Sequence, residues 1–82
     1  MMPRYKCHKE VDALKVAGYA VQEDGSILLT FEEEGFAPVT VPSSFARGRQ
    51  DLTGGYYVVY DDGYASWSPA AAFEAGYTRV QP

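Results

Sequence analysis

The chain has 82 residues, a formal net charge of −4 at pH 7, and aromatic residues at 15% of its positions. A chain of this length predicts a single domain over residues 1–82, and its one cysteine excludes an internal disulfide and favours a reducing cytosol. No apolar run approaches the roughly 20 residues that span a bilayer, and the acidic balance argues against a general nucleic-acid binder.

The N-terminal third has an ambiguous apolar pattern. Residues 8–18, HKEVDALKVAG, fit either a helix or a strand. We favour a strand because Val11 and Val16 are β-branched and the apolar face of a helix would be thin. In a strand, Leu14 and Val16 would face one way.

Basic residues alternate just upstream of that segment. Arg4, Lys6 and His8 are two positions apart, so an extended chain would place all three on one face. A basic row beside tyrosines would hold a nucleotide-like anion by charge and stacking. These three residues are therefore the candidate ligand-binding site of an alternative function.

Two Asp-Gly pairs, at positions 24–25 and 62–63, predict two β-hairpins. Asp-Gly suits a two-residue type I′ turn, which needs positive φ at both central residues. The predicted strands are 19–23 and 26–31 for the first hairpin, and 55–61 and 64–67 for the second.

The segment between the two hairpins, PSSFARGRQDLTGG from Pro42 to Gly55, shows no clear period. A loop of this length in so small a domain is typical of a functional or disordered segment.

A short helix is predicted after the second hairpin, over about residues 69–75. Ser68 suits its N-cap, Pro69 its first position and Gly76 the position just past its end. Phe73 would anchor it on the sheet, and YTRV after Gly76 alternates as a last strand. The predicted fold class is therefore α+β, a small twisted antiparallel sheet of four to six strands with one short helix packed on it.

The second hairpin concentrates large aromatic residues. A two-residue turn would place Tyr60 opposite Ala65 and Val58 opposite Trp67. One face would then hold Tyr56, Val58, Tyr60, Ala65 and Trp67, and the other Tyr57, Val59, Tyr64 and Ser66.

Each face of the hairpin has its own expected role. Trp67 would be buried and pack under Phe73 at the helix. The opposite face either completes the core or contacts a partner, since Tyr, Trp and Arg are the commonest energetic anchors of interfaces. The candidate partner-binding residues are Tyr57 and Tyr64, with Arg47 and Arg49 from the loop.

Catalytic and metal-binding patterns are weak in this sequence. Cys7 and His8 are neighbours, so a strand would direct them to opposite faces and prevent a thiol–imidazole pair. One cysteine and one histidine cannot form a closed zinc site, and no phosphate-binding glycine loop is present. We therefore expect no catalytic residues, no metal and no cofactor.

Three stretches resemble a group of small bacteriophage and prophage proteins of mostly unassigned function. They are the Tyr-x-Cys-His-Lys opening, the middle DG…EEGFAP, and the Gly-Tyr-Tyr-Val-Val-Tyr-x-Asp-Gly-Tyr-x-Ser-x-Ser-Pro ending, which is the most specific. The likeness covers most of the chain except 43–53.

That resemblance implies a phage gene product in the bacterial cytoplasm. The expected function is non-enzymatic binding that inhibits or redirects a bacterial host or defence protein, and a homodimer is a further expectation. The alternative is binding or sequestration of a nucleotide-like anion. Neither nucleic acid nor a membrane is expected as a partner.

Overall fold

The computed structural model describes residues 2–6, 10–48 and 51–80, with backbone only for 4–6 and 80. Its elements in chain order are β1 (Arg4–Lys6), β2 (Glu10–Val21), β3 (Ile27–Phe31), β4 (Val39–Val41), a 3-10 helix (Ser43–Ala46), β5 (Tyr56–Val59), β6 (Ala65–Ser68), α1 (Ala70–Gly76) and β7 (Thr78–Val80).

All strand pairs in the described residues are antiparallel, and β2 is central to them. Its first half pairs with β1 and β5, and its second half pairs with β3. Five strands follow the order β4-β3-β2-β1-β7, while β5 branches from β2 and carries β6. The α+β class, the antiparallel sheet and the single short helix are confirmed. Among the described residues, the continuous order contains five strands, within the predicted four to six, and the branch of β5 and β6 brings the sheet to seven.

The ambiguous N-terminal segment belongs to one long strand. β2 extends over twelve residues, with a register shift between Val16 and Gly18. Its first half is buried on both faces, with Val11 and Ala13 on one and Leu14 and Val16 on the other. This double burial removes the polar–apolar alternation by which a half-exposed strand is recognised.

Two groups of buried side chains stabilise the sheet, one on each face of the second hairpin. The main core comprises Val16, Ile27, Leu29, Val41, Phe45 and Leu52. The helix-side core comprises Val11, Ala13, Tyr56, Val58 and Phe73. Phe45 and Leu52 come from the segment between the hairpins, which therefore contributes to the core although it has no apolar period.

The helix begins one residue later than predicted and ends at Gly76. Ser68 is not its N-cap, because it is paired with Tyr56 as the last residue of β6. Pro69 occupies the cap position with an extended backbone, and its carbonyl accepts from the Phe73 N–H at 2.9 Å. Phe73 packs against the ring of Tyr56, with centroids 4.3 Å apart, so the predicted anchor is confirmed.

The hairpin turns contain three residues rather than the predicted two. The Tyr60 N–H donates to the Tyr64 carbonyl at 2.8 Å, and the Gly63 N–H donates to the Tyr60 carbonyl at 2.8 Å. Only the glycine of Asp61-Asp62-Gly63 has positive φ, at 89°. This is a turn with a glycine bulge, and the Asp24-Gly25 hairpin repeats it.

The extra turn residue shifts the pairing of β5 with β6 by one position. Relative to β5, each side chain of β6 therefore lies on the opposite face of the sheet from the one predicted. Tyr57 lies opposite Trp67, and Val58 lies opposite Ser66. A one-residue slip moves every side chain of a strand to the other face. Trp67 therefore packs on the main core, half-buried, and the prediction that it lies under Phe73 is wrong. Its indole N–H donates to the Leu52 carbonyl at 2.9 Å.

Candidate functional site

The tip of the second hairpin presents an exposed aromatic ring. Tyr64 is 51% exposed and Val21 is 68% exposed, and these are the two exposed large apolar residues of the described chain. The Tyr64 ring stacks on Tyr60, with centroids 5.9 Å apart and planes at 26°. Its backbone N–H donates to the Asp62 carboxylate at 3.0 Å, which fixes the turn beneath the ring.

An arginine from the segment between the hairpins reaches this ring. The Nη2 of Arg47 donates to the Tyr64 hydroxyl at 2.6 Å across 17 positions of sequence. The two side chains were predicted as partner-binding residues without a known distance between them. The structure brings them together at the surface.

The backbone of Arg47 is held in an unusual conformation. Arg47 ends the 3-10 helix with φ 50° and ψ 43°, the one positive φ outside glycine among the described residues. Its N–H donates to the Ser44 carbonyl at 3.2 Å. The left-handed region costs a residue with a Cβ roughly 1–2 kcal/mol. Such strain is often found where a side chain is positioned for function.

Two open grooves flank Tyr64. The first, of about 690 Å³, lies between the 3-10 helix and β6, with Phe45, Val41 and Ala65 as apolar lining and Arg47 at its side. We call it the Arg47 groove. The second, of about 600 Å³, is lined by tyrosines and carboxylates, which are Glu10, Tyr60, Asp61, Asp62, Tyr64 and Tyr77.

Tyr57 does not lie beside Tyr64, because the shifted register places it on the main core. It is half-buried, with the rings of Phe31 and Phe45 at 5.7 and 5.9 Å. Burial raises the pKa of its hydroxyl above the usual 10.0. The proposed contact face therefore divides into a packed Tyr57 and an exposed Tyr64. Arg49 lies outside the described residues.

The candidate anion site lies only partly within the described chain. Arg4 and Lys6 belong to β1, and His8 lies outside the described residues. In register, Arg4 is opposite Asp12 of β2 and Lys6 is opposite Glu10. Both basic positions are thus in register with acidic ones. The anion site remains a prediction.

In the described part of the chain, no group of three or more His, Cys, Asp and Glu side chains is arranged to hold a metal ion. The pKa of Asp24 is lowered by hydrogen bonds from the Ser26 hydroxyl and backbone N–H, which close the first hairpin turn. Cys7 and His8, weighed above as a catalytic pair, lie outside the described residues.

Comparison with known proteins returns no match: no family model, no curated protein and no solved structure is similar to this chain. Among the described residues, no helix has the length and apolar character needed to cross a membrane.

Sequence reasoning missed the contribution of Tyr60. It placed Tyr60 and Tyr64 on opposite faces because it assumed a two-residue turn. No signal in the sequence could have found it, because Asp-Gly suits both a two-residue type I′ turn and the glycine bulge of a three-residue turn.

Proposed function

We propose that this protein is a phage-encoded, non-enzymatic binding protein that acts in the bacterial cytoplasm. It inhibits or redirects a bacterial host or defence protein by direct contact through the hairpin tip. The observation that carries the proposal is the exposed Tyr64 ring, held between the Arg47 guanidinium and the Tyr60 ring. The phage setting rests on the resemblance of the opening and ending motifs.

Physical reasons favour this surface as a contact. Tyr and Arg supply large contact areas with polar tips and dominate the binding energy of many interfaces. A tyrosine fixed by a hydrogen bond and a stacked neighbour loses little conformational entropy when a partner covers it. Arg47 and Tyr64 therefore form a preorganised pair at the surface.

Immobilised protein incubated with bacterial lysate tests the proposal. The captured proteins would be quantified by mass spectrometry for the wild type, for Tyr64→Ala, and for Val21→Thr as a matched control. Val21 is the other exposed large apolar residue and lies at the end of β2 by the first hairpin.

We expect at least one bacterial protein to be captured by the wild type and by Val21→Thr and to be lost with Tyr64→Ala. Circular dichroism would establish that all three proteins are folded. The same captured set for all three would overturn the proposal.

A further inference from the structure

We propose that the Arg47 groove binds an extended peptide segment of the partner, which carries an Asp or Glu side chain and adds as a strand to β6. This inference rests on the proposed function and names the chemistry of its partner. It depends on three features of the groove: an available cation, a sheet edge and an apolar lining.

The cation is Arg47. Within the described residues the ion pairs join Lys15 to Glu74 and Arg79 to Glu33, and the polar side-chain contact of Arg47 is the neutral Tyr64 hydroxyl. A guanidinium has five N–H donors in a fixed fork that matches a carboxylate. One bond to a phenol leaves capacity for a bidentate carboxylate contact at the same group.

The sheet edge is β6. Among the described strands, β6 pairs with β5 alone. Because Tyr60 and Tyr64 are a hydrogen-bonded pair, alternation along the ladder makes Val58–Ser66 the next one. The N–H and C=O of the intervening Ala65 are therefore directed away from β5, and Ala65 lines the groove. An extended peptide at such an edge gains main-chain hydrogen bonds.

The apolar lining of the groove determines which other side chains the bound peptide should carry besides its carboxylate. Val41, Phe45 and Ala65 line the groove with apolar surface, and Arg47 and Tyr64 lie at its side. Side chains of an added strand alternate in direction, so apolar residues would enter the groove at every second position. We therefore expect an apolar peptide with a single acidic residue, not a polyacidic segment, which the chain's net charge of −4 would repel.

Selection from a library of random octapeptides, with the wild-type protein as bait, tests this inference. Selected peptides would be compared by fluorescence polarisation on the wild type, on Arg47→Gly and on the control Val21→Thr. Glycine suits the left-handed backbone of Arg47, so this change removes the guanidinium without a backbone penalty.

We expect every selected family to contain Asp or Glu. Replacing that residue by Asn or Gln should weaken binding at least tenfold, as should Arg47→Gly, and the two changes together should cost little more than either alone. N-methylation of the peptide backbone opposite Ala65 should abolish binding. Val21→Thr should bind like the wild type.

Peptides without an acid, no enrichment at all, or unchanged affinity for Arg47→Gly would overturn the inference. So would a wild-type dimer that Arg47→Gly converts to a monomer in light scattering, because the groove would then hold a second copy. A lysate protein that depends on Tyr64 but is not displaced by the peptide refutes this inference and leaves the proposed function standing. No lysate protein depending on Tyr64 refutes the proposed function itself.

Discussion

Replacing Gly55 by alanine tests the packing of Trp67 most sharply. Gly55 is buried just before β5, and an ideal Cβ there would fall well within 3.0 Å of the Trp67 indole ring. The backbone cannot easily yield, because the Gly55 carbonyl accepts from the Val16 N–H at 2.8 Å. The rigid ring must therefore move, and it would lose its hydrogen bond to the Leu52 carbonyl.

The cost of this change follows from two terms. Forcing extra volume into a packed site costs about 1–3 kcal/mol. Loss of the hydrogen bond between the indole N–H and the Leu52 carbonyl adds about 1 kcal/mol. Gly55→Ala should therefore lower the free energy of unfolding by about 2–4 kcal/mol, and the melting temperature of a domain this size by about 10–25 °C.

Urea denaturation followed by far-UV circular dichroism measures this loss. Gly76→Ala is the matched control, because a Cβ at Gly76 meets no atom within 4 Å. It should change the free energy of unfolding by less than about 1 kcal/mol. When Trp67→Phe is added to Gly55→Ala, the double variant should recover part of the lost stability, since the smaller phenyl ring leaves room for the alanine Cβ. A loss below about 0.5 kcal/mol for Gly55→Ala would refute the packing described here.

Three further predictions address the helix-side core, the partly buried hydroxyl of Tyr57 and an ion pair. Phe73→Ala should cost about 3–5 kcal/mol in denaturant titration, because Phe73 is 2% exposed and stacks on Tyr56; a loss under 1 kcal/mol would contradict the docking of α1. The raised pKa of Tyr57 means that the unfolded chain releases this proton first, so stability should fall as pH rises above 10. Unfolding measured from pH 9 to 11 should show a smaller fall for Tyr57→Phe, and equal falls would contradict the burial of this hydroxyl. Glu33→Gln should cost up to about 1 kcal/mol at low salt, since both carboxylate oxygens of Glu33 lie 3.1 Å from Arg79, and high salt should remove the difference.

Elements with strong local signals could be predicted from the sequence, and the pairing between them could not. The two hairpins and the helix anchored by Phe73 are where the Asp-Gly and Ser-Pro-Ala-Ala signals indicate them. The Asp-Gly pattern fits a two-residue turn and a three-residue turn equally well. Which of the two forms is decided by the backbone hydrogen bonds of the folded hairpin, which the sequence does not show. The third turn residue sets the register of β5 and β6, and this register places Trp67 on the main core instead of the helix-side core.

The segment from Pro42 to Gly55 shows a second limit of sequence reasoning. Phe45 and Leu52 are buried in the main core, yet isolated apolar residues among Ser, Gly and Arg carry no period. Burial of this kind depends on contacts distant in sequence. The same segment supplied Arg47, whose proximity to Tyr64 could be proposed but not measured from the sequence.

The sequence predicted which types of residue form the candidate site, and the structure changed which of them lie together at the surface. Tyr64 and Arg47 are an exposed, bonded pair, while Tyr57 packs on the main core between Phe31 and Phe45. Of the four residues predicted to contact a partner, Tyr64 and Arg47 are the two that lie together at the hairpin tip within the described chain.

The central claim is that Tyr64 and Arg47 serve binding and contribute little to folding. Calorimetric titration of the partner isolated from lysate, with wild type, Tyr64→Ala and Arg47→Gly, tests it most directly when each variant's melting temperature is measured alongside. We expect the dissociation constant to rise at least tenfold for each variant, equivalent to about 1.4 kcal/mol or more, with melting temperatures within a few degrees of the wild type. Unchanged dissociation constants, or variants that lose their fold together with their binding, would contradict the claim.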